Sequence, residues 1–326
     1  MQRFTLVSTA GANSLQVHFS ALTDYKYQYI GLIASLRLPH PAIPTFLLRH
    51  ATNTLILQPR SPGAAYPRSN RVARMRMKGE PKMTLRGRTA LVTGAAGAIG
   101  AAISKALADQ GAVVVLVDLA DGPTQALADD LGGHAVIVDL SDAVAVSAMA
   151  ADVLGQFGRI DILVNNAGIL SNAKIAATSL QEWHRVQGVN VDAAFLLAQA
   201  FLPAMRAARW GRVINISSYA AKSGGLTAGT AYSVSKTAMI GLTYSIAREV
   251  AGEGVTSNAV APAYVMSPMV SEQLSEAQRQ AQLAAIPVGR FCEPEEVAHA
   301  VMFLASPLAG FITGEVVDLN GGLHFD

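Results

Sequence analysis

Short apolar runs alternate with longer amphipathic stretches from residue 89 to the end of the chain. The first run, residues 90–93, leads through a glycine-containing turn into an Ala-rich stretch at residues 101–110, and a β-branched run follows at residues 112–117. A short apolar run favours a strand that is buried on both faces, and the Ala-rich stretch has the length of a crossover helix. This order predicts a βαβ unit.

The alternation continues with apolar runs at residues 135–138, 160–164, 212–216, 255–260 and 315–319, separated by helical stretches. Strands that alternate with helices form a parallel sheet with helices on both faces. The sequence therefore predicts an α/β fold, a doubly wound and mostly parallel sheet, as a single domain over residues 83–326. Its ligand site is expected at the carboxyl ends of the strands.

Residues 1–82 differ from the rest of the chain in charge and pattern. They contain 11 of its 25 Lys+Arg but only 2 of its 23 Asp+Glu, and they show no sustained helical or strand periodicity. We expect this N-terminal extension to be disordered or absent from the native protein. A transit peptide, a flexible appendage and an upstream stretch included by a wrongly assigned start codon are all open. We favour the third, because the codons for Lys78-Gly79-Glu80 can contain a purine-rich ribosome-binding sequence a few nucleotides before the codon for Met83. The intact mass of the natively expressed protein tests this interpretation.

Composition argues against several classes of function. Without the extension the chain is acidic and has no Lys/Arg cluster, so nucleic acid is not an expected partner. No uninterrupted apolar run reaches the roughly 18 residues of a membrane span, so no membrane is expected and we predict a cytoplasmic protein. Cys292 is the only cysteine, which excludes an intrachain disulfide and a cysteine-built metal site, and the histidines show no ligand spacing. A small molecule is the expected partner.

A glycine-rich turn joins the first predicted strand to its helix. Residues 93–100 have the sequence TGAAGAIG, in which glycines permit a tight turn and let backbone amides and the helix N-terminus meet a pyrophosphate. The residues expected at a dinucleotide are Gly94, Gly97, Ala98, Ile99 and Gly100. An ordinary Gly/Ala-rich turn is the alternative.

Asp118 strengthens the dinucleotide interpretation. It ends the second predicted strand, 18 residues after Gly100, near the spacing at which a carboxylate can bond the ribose hydroxyls of the adenosine. Its charge would repel the 2′-phosphate of NADP. Gly97 and Leu119 are plausible neighbours of that phosphate, and because neither is basic, they would not offset the repulsion. The sequence therefore predicts NAD as the cofactor in preference to NADP.

Tyr232 and Lys236 form a second candidate pair. Residues four apart share a helix face, so the Lys236 ammonium can lie near the Tyr232 phenol. A nearby cation favours the phenolate, which would lower the pKa of Tyr232 from its usual value of about 10 toward a working pH. Such a tyrosine could act as a general acid or base.

Together the glycine turn, residues 165–168 (NNAG), Ser218 and Tyr232 with Lys236 closely resemble the short-chain dehydrogenase/reductase family. The resemblance covers roughly residues 85–326 and implies a Rossmann-like fold. It also implies a catalytic set, which would be Asn190, Ser218, Tyr232 and Lys236. Further cofactor-binding residues implied by the family are Asp139, Leu140, Asn165, Ala167, Gly168, Val265 and Ser267, while Tyr232 and Lys236 would contact the cofactor as well.

Two residues depart from the family pattern. Ala98 and Ala263 stand where the shorter, single-domain branch usually has glycine. The glycines at 94, 97 and 100 fit the spacing of the longer, sugar-nucleotide-epimerase-like branch. Against that branch stand NNAG, the spacing from Ser218 to Tyr232, and a C-terminal part too short for a separate substrate domain. We keep the shorter branch.

The resemblance implies an NAD-dependent oxidoreductase that transfers a hydride between the cofactor and a secondary alcohol or ketone. Ser218 would polarise the substrate oxygen, Tyr232 would transfer the proton, and Lys236 would lower the Tyr232 pKa, with Asn190 completing a water path. The nearest substrate types are those of 3-oxoacyl-carrier-protein reductases and of polyol or sugar dehydrogenases. A non-catalytic NAD-binding regulatory protein is the alternative. Helices around residues 190–205 and 232–250 resemble those that pair subunits, so a homo-oligomer, a dimer or tetramer, is expected.

Overall fold

The chain forms two compact units, Met1–Pro81 and Lys82–Asp326, in a computed structural model. The structure describes residues 84–266 and 275–325, apart from the side chain of residue 278, and the backbone of five strands in the first unit. These strands were not predicted. They form two antiparallel sheets, one with order β1-β2-β3 and one pairing β4 with β5: β1 Phe4–Gly11, β2 Ser14–Ala21, β3 Leu36–Leu38, β4 Phe46–Ala51 and β5 Thr54–Pro59.

A period-two signal for one of these strands is present in the sequence. Leu15, Val17 and Phe19 occupy alternate positions of β2, with polar residues between them, and successive side chains of a strand point to opposite faces. The basic, Pro-containing surroundings concealed this short pattern.

The second unit contains a seven-stranded sheet with the order β12-β11-β10-β9-β6-β7-β8, and every neighbouring pair in it is parallel. The predicted doubly wound parallel sheet is confirmed. Each predicted apolar run coincides with one strand, to within two residues at either end: β6 Thr89–Thr93, β7 Val113–Asp118, β8 His134–Ile137, β9 Ile162–Asn165, β10 Gly211–Ile216, β11 Val255–Pro262 and β12 Val316–Leu319.

Helices cover both faces of this sheet. One apolar cluster joins Ile103 and Leu107 of α1 to Val301 near the C-terminus, and another joins Val146 of α3 to Phe201 of α5. The helices of this unit in the described ranges are α1 Ala98–Asp109, α2 Asp121–Leu131, α3 Ala143–Phe157, α4 Leu180–Gln187, α5 Ala193–Ala207, α6 Ala220–Ser223, α7 Thr230–Val250, α8 Glu276–Ala285 and α9 Pro294–Ala305.

The chain reverses its direction of progress across the sheet between β6 and β9. From β6 it moves outward through β7 to β8, and then returns to place β9 on the other side of β6. Such a switch point opens a crevice at the carboxyl ends of the strands, where open α/β sheets bind ligands. The turn after β6 and the loop after β9 border this crevice.

One helical run, Leu180–Ala207, meets the length and hydropathy of a membrane span. It contains α4, a π-helical turn at Gly188–Asp192 and α5. Leu197, Phe201 and Met205 of this run are completely buried against the sheet. Its apolar residues therefore serve the core of this unit.

Candidate active site

A cavity of about 1280 Å³ lies at the carboxyl ends of the strands. It brings together most of the residues that the sequence singled out. Asn165 and Asn190 do not line it, and Ser267 lies outside the described residues. The sequence-predicted residues that line the cavity are Gly94, Gly97, Ala98, Ile99, Gly100, Asp118, Asp139, Leu140, Ala167, Gly168, Ser218, Tyr232, Lys236 and Val265.

The glycine turn builds one wall from bare backbone. Gly94 has φ +64°, and a Cβ on Gly100 would lie 2.0 Å from the Gly94 carbonyl oxygen, so α1 packs too closely against the turn for any side chain there. The backbone N–H groups of Ala98, Ile99 and Gly100 open the helix and have no partner within the described part of the chain. Three free donors at a helix N-terminus fit the pyrophosphate of a dinucleotide.

Asp118 is held by the backbone around it. One carboxylate oxygen accepts a hydrogen bond from the Ala96 N–H at 2.9 Å, and the other accepts from the Leu119 and Ala120 N–H groups at 2.7 and 3.1 Å. The carboxylate thus ties the glycine turn to the end of β7. The sequence predicted that Asp118 contacts the cofactor, but it did not reveal these hydrogen bonds.

Tyr232 and Ser218 meet at the centre of the cavity. Tyr232 lies in the first turn of α7, Ser218 follows β10, and their side chains are hydrogen-bonded. Burial raises the pKa of Tyr232 above its usual value, and the hydrogen bond with Ser218 opposes that rise only in part. Tyr232 is therefore a protonated donor at neutral pH, and the lowering of its pKa by Lys236 stays a prediction.

Lys236 lies one helical turn below Tyr232, with its ammonium nitrogen 5.7 Å from the centre of the tyrosine ring. It is 3% exposed, and this burial lowers its pKa to about 8. Its Nζ donates a hydrogen bond to the Ile216 carbonyl oxygen at 2.9 Å. The cavity is therefore lined by a buried ammonium group with one hydrogen-bond partner in the described part of the chain.

Asn190 is buried inside the protein rather than on a helix surface. It lies in the π-helical turn between α4 and α5, a local distortion often found at functional sites. Its Oδ1 accepts from the Ile169 N–H at 2.8 Å, and its Nδ2 donates to the Ile169 carbonyl and to Ser235 Oγ. A Cβ on Gly168 would come within 3.0 Å of Lys236 Nζ and 3.3 Å of Asn190 Oδ1, so both side chains converge behind Gly168.

Asn165 points into the sheet, not into the cavity. Its Nδ2 donates to Asn215 Oδ1 at 2.8 Å, and Asn215 in turn donates to Thr243. The next residue, Asn166, lines the cavity instead and donates to the Thr93 and Gly94 carbonyls. The sequence motif located the loop, but it did not distinguish the inward from the outward asparagine.

Asp139 and Val265 line the cavity at the ends of two different strands. Asp139 follows β8 and accepts hydrogen bonds from the backbone and hydroxyl of Ser141, which lower the pKa of its carboxyl. Val265 follows β11 and is held by a bridge to Cys292. The family resemblance had indicated both residues as cofactor-binding.

The sequence indicated only part of the side of the cavity that would face a substrate, here called the substrate half, because residues 267–287 were expected to cover the site. Two loops and one helix form it: the loop after β9, the loop between α6 and α7, and α8. Neither loop carries a periodic pattern or a motif that indicates its place at the cavity. The residues of these three segments that line the cavity are Ile169, Leu170, Asn172, Leu226, Thr227, Ala228, Ala281 and Gln282, and Tyr264 after β11 lines it as well.

The chain is similar to several known proteins. A family model described as enoyl-(acyl carrier protein) reductase matches residues 94–324. The 3-oxoacyl-(acyl-carrier-protein) reductase FabG of Vibrio cholerae is 41% identical over 245 residues, which are 74% of this chain and 99% of the relative. The enzyme of the same name from Escherichia coli is 38% identical over the same shares.

A solved structure with 40% sequence identity and a TM-score of 0.69 covers 74% of this chain and 98% of its own. It is described as a putative NAD(P)-dependent gluconate 5-dehydrogenase from Beutenbergia cavernae. All these relatives are named as reductases or dehydrogenases. They support an oxidoreductase acting on a secondary alcohol or ketone, and nothing among them favours the non-catalytic alternative.

The comparison overturns the predicted preference for NAD over NADP. The Beutenbergia cavernae structure is described with NADP bound at low occupancy, and the NAD prediction is wrong. It rested on Asp118 as a bare carboxylate that repels a 2′-phosphate. The structure shows that three backbone N–H groups bond this carboxylate, and these dipoles offset much of its negative potential. Spacing along the chain did not reveal that compensation.

Proposed function

The chain belongs to the short-chain dehydrogenase/reductase family of oxidoreductases, and we propose that it reduces the ketone of a 3-oxoacyl thioester with NADPH. The observation that carries this proposal is the pairing of a protonated Tyr232 with Ser218 in a cavity whose substrate half has no charged residue among its described lining residues. The roles assigned below to single residues belong to the same proposal.

The free N–H groups of Ala98, Ile99 and Gly100 would hold the pyrophosphate, and Lys236 would hold the ribose next to the nicotinamide. NADPH, when bound, supplies the hydride. Among the described residues no basic side chain lines the cavity near Asp118, and the N–H groups of Ala95, Ala96 and Gly97 already donate to other groups of the chain. The 2′-phosphate would therefore bind at this end of the cavity without a cationic side chain.

Ser218 and Tyr232 supply the proton chemistry. The Ser218 hydroxyl donates a hydrogen bond to the ketone oxygen and stabilises negative charge that develops there. Tyr232 then donates its proton to that oxygen. The raised pKa of Tyr232 keeps this proton in place at neutral pH, which suits an acid and therefore ketone reduction. The buried Lys236 ammonium stabilises the phenolate left behind, because charges interact strongly where water is excluded.

The charge of the cavity favours a neutral group beside the reacting carbonyl. Lys236 is the only basic residue among the described residues that line it, and the sequence of residues 267–274 contains no Lys or Arg. The nearby Lys222 is paired with Asp318, and Arg279 with Glu276. A sugar acid would bring a carboxylate that finds no available partner here, whereas a thioester carries no charge.

Gln282 offers one polar contact to such a substrate. Gln282 lines the cavity wall formed by α8, and its Oε1 is buried without a hydrogen-bond partner in the described part of the chain. A buried acceptor without a partner is costly. An N–H or O–H group of the substrate would satisfy it, and amide N–H groups are present in the arm that carries acyl thioesters.

The test compares substrates that differ in charge. Purified protein is assayed for NADPH oxidation with acetoacetyl-CoA and with a 5-keto sugar acid, and Ser218→Ala serves as the control for the Ser218 role. We expect kcat/KM for the thioester to exceed that for the sugar acid at least tenfold, and Ser218→Ala to lose most of the activity with both. The reverse substrate preference would replace the thioester with a sugar acid.

We also propose a homo-oligomer, a dimer or tetramer, formed through α5 and α7. Phe195 on α5 is 49% exposed and Tyr244 on α7 is 52% exposed. Large exposed apolar side chains on adjacent helices are typical of an interface. Sedimentation of the wild type and of Phe195→Glu with Tyr244→Glu tests this, because a monomeric wild type contradicts it.

A further inference from the structure

Lys174 joins the two loops that form the substrate half of the cavity. It lies in the loop after β9, outside any helix or strand. Its Nζ donates hydrogen bonds to the Gly225 and Ala228 carbonyl oxygens, each at 2.7 Å. Both acceptors belong to the loop between α6 and α7, more than fifty residues further along the chain.

The same two loops are also joined through their backbones. The Gly229 N–H donates to the Ser171 carbonyl at 2.7 Å, and the Thr230 N–H donates to the Ala173 carbonyl at 2.9 Å. A Cβ on Gly229 would lie 2.5 Å from the Ala173 oxygen, so the backbones approach as closely as glycine allows. Four hydrogen bonds thus cross between the loops within a few residues, two of them from one ammonium group.

The joined segments border the reacting groups. Leu170 and Asn172 on one side and Leu226 and Thr227 on the other line the cavity. Thr230 begins α7, only two residues before Tyr232. Neither loop has regular secondary structure to hold it, so the crossing bonds fix the distance between the walls and the entry of α7.

We propose that Lys174 is a positioning residue that holds the substrate wall closed against the first turn of α7. It touches no reacting atom, and it acts by supplying two charge-assisted donors to carbonyl groups that the loop leaves without backbone partners. Without it the loop of residues 224–229 opens away from the loop after β9. The cost falls on ketone binding and on the placement of Tyr232, and not on the distant glycine turn.

The kinetic part of this inference rests on the proposed function, but its structural part does not. Hydrogen exchange of the peptide covering residues 225–232 is measured in wild type, Lys174→Met, Lys174→Arg and Lys105→Met. Lys105→Met is the matched control, because Lys105 is an exposed lysine of α1 away from the cavity. We expect exchange to be at least tenfold faster in Lys174→Met, near wild type in Lys105→Met and intermediate in Lys174→Arg. Unchanged exchange in Lys174→Met would overturn the proposal.

Steady-state kinetics with NADPH and acetoacetyl-CoA give the functional readout. Lys174→Met should raise KM for the thioester about fivefold to tenfold while KM for NADPH stays within twofold, and Lys174→Arg should recover part of the loss. An equal rise in KM for the thioester and for NADPH would mean a general structural defect and overturn the positioning role. If the wild type reduces no ketone, the proposed function is wrong, and the exchange experiment still decides the role of Lys174.

Discussion

Replacing Lys236 with methionine should stabilise the protein at neutral pH while abolishing its activity. Burial lowers the pKa of Lys236 from 10.5 to about 8. One pKa unit corresponds to about 1.36 kcal/mol, so keeping this ammonium charged in the fold costs about 3 kcal/mol below pH 8. The variant also loses the hydrogen bond to Ile216, which lowers its free energy of unfolding by about 1–2 kcal/mol. The free energy of unfolding of Lys236→Met should therefore be about 1–2 kcal/mol higher than that of wild type at pH 7.

The dependence on pH identifies the cause of this gain. Between pH 8 and pH 10.5 the unfolded wild type still binds the Lys236 proton and the folded wild type does not. Wild-type stability therefore rises with pH in this window relative to the variant, by up to about 3 kcal/mol. Urea unfolding of both proteins at pH 7 and pH 10 measures the difference, with Lys105→Met as the exposed control. A variant that is less stable than wild type by the same amount at both pH values would refute the reasoning.

Three further predictions concern the cofactor end and the extension. Gly100→Ala should lower the Tm of the cofactor-free protein by several degrees, because its Cβ would meet the Gly94 oxygen at 2.0 Å, whereas Gly97→Ala, with 3.4 Å to the same oxygen, should change it little; equal Tm values would contradict this packing. Asp118→Asn keeps one side-chain oxygen as an acceptor but removes the charge, so KM for NADPH should fall about fivefold, a change of about 1 kcal/mol, with little change for NADH; a rise in the NADPH value would contradict the remaining repulsion. A chain that begins at Met83 should retain the kcat of the full chain with NADPH, and a loss beyond tenfold would assign a catalytic need to residues 1–82.

The parallel sheet was predictable because its strands are short apolar runs that alternate with helical stretches, the pattern expected when helices cover both sheet faces. The same alternation placed the site at the carboxyl ends of the strands, where the glycine turn, Ser218 and Tyr232 lie, whereas the strand order and its switch point came from the structure. These positions depend on local sequence and on the general handedness of βαβ units. Local sequence therefore carried both the sheet and the place of the site.

Three features of the site depend on contacts between distant segments and were not predictable. Asp118 accepts a hydrogen bond from Ala96, 22 residues earlier in the chain, a contact that the spacing argument for NAD did not include. Asn165 and Asn166 lie at the end of β9, where successive side chains point to opposite sides, and only the packing of β9 between β6 and β10 shows which side is the cavity. The Tyr232 pKa is governed by burial, a property of the folded chain.

The most direct test of the central claim is the effect of Tyr232→Phe on NADPH-dependent ketone reduction. The change removes the transferable proton and keeps the ring, so kcat with acetoacetyl-CoA should fall between about 10²-fold and 10⁴-fold. The Kd for NADPH, measured by fluorescence titration of the same preparation, should stay within twofold of wild type. A variant that keeps more than a tenth of the wild-type kcat with unchanged NADPH binding would contradict the assignment of Tyr232 as the proton donor.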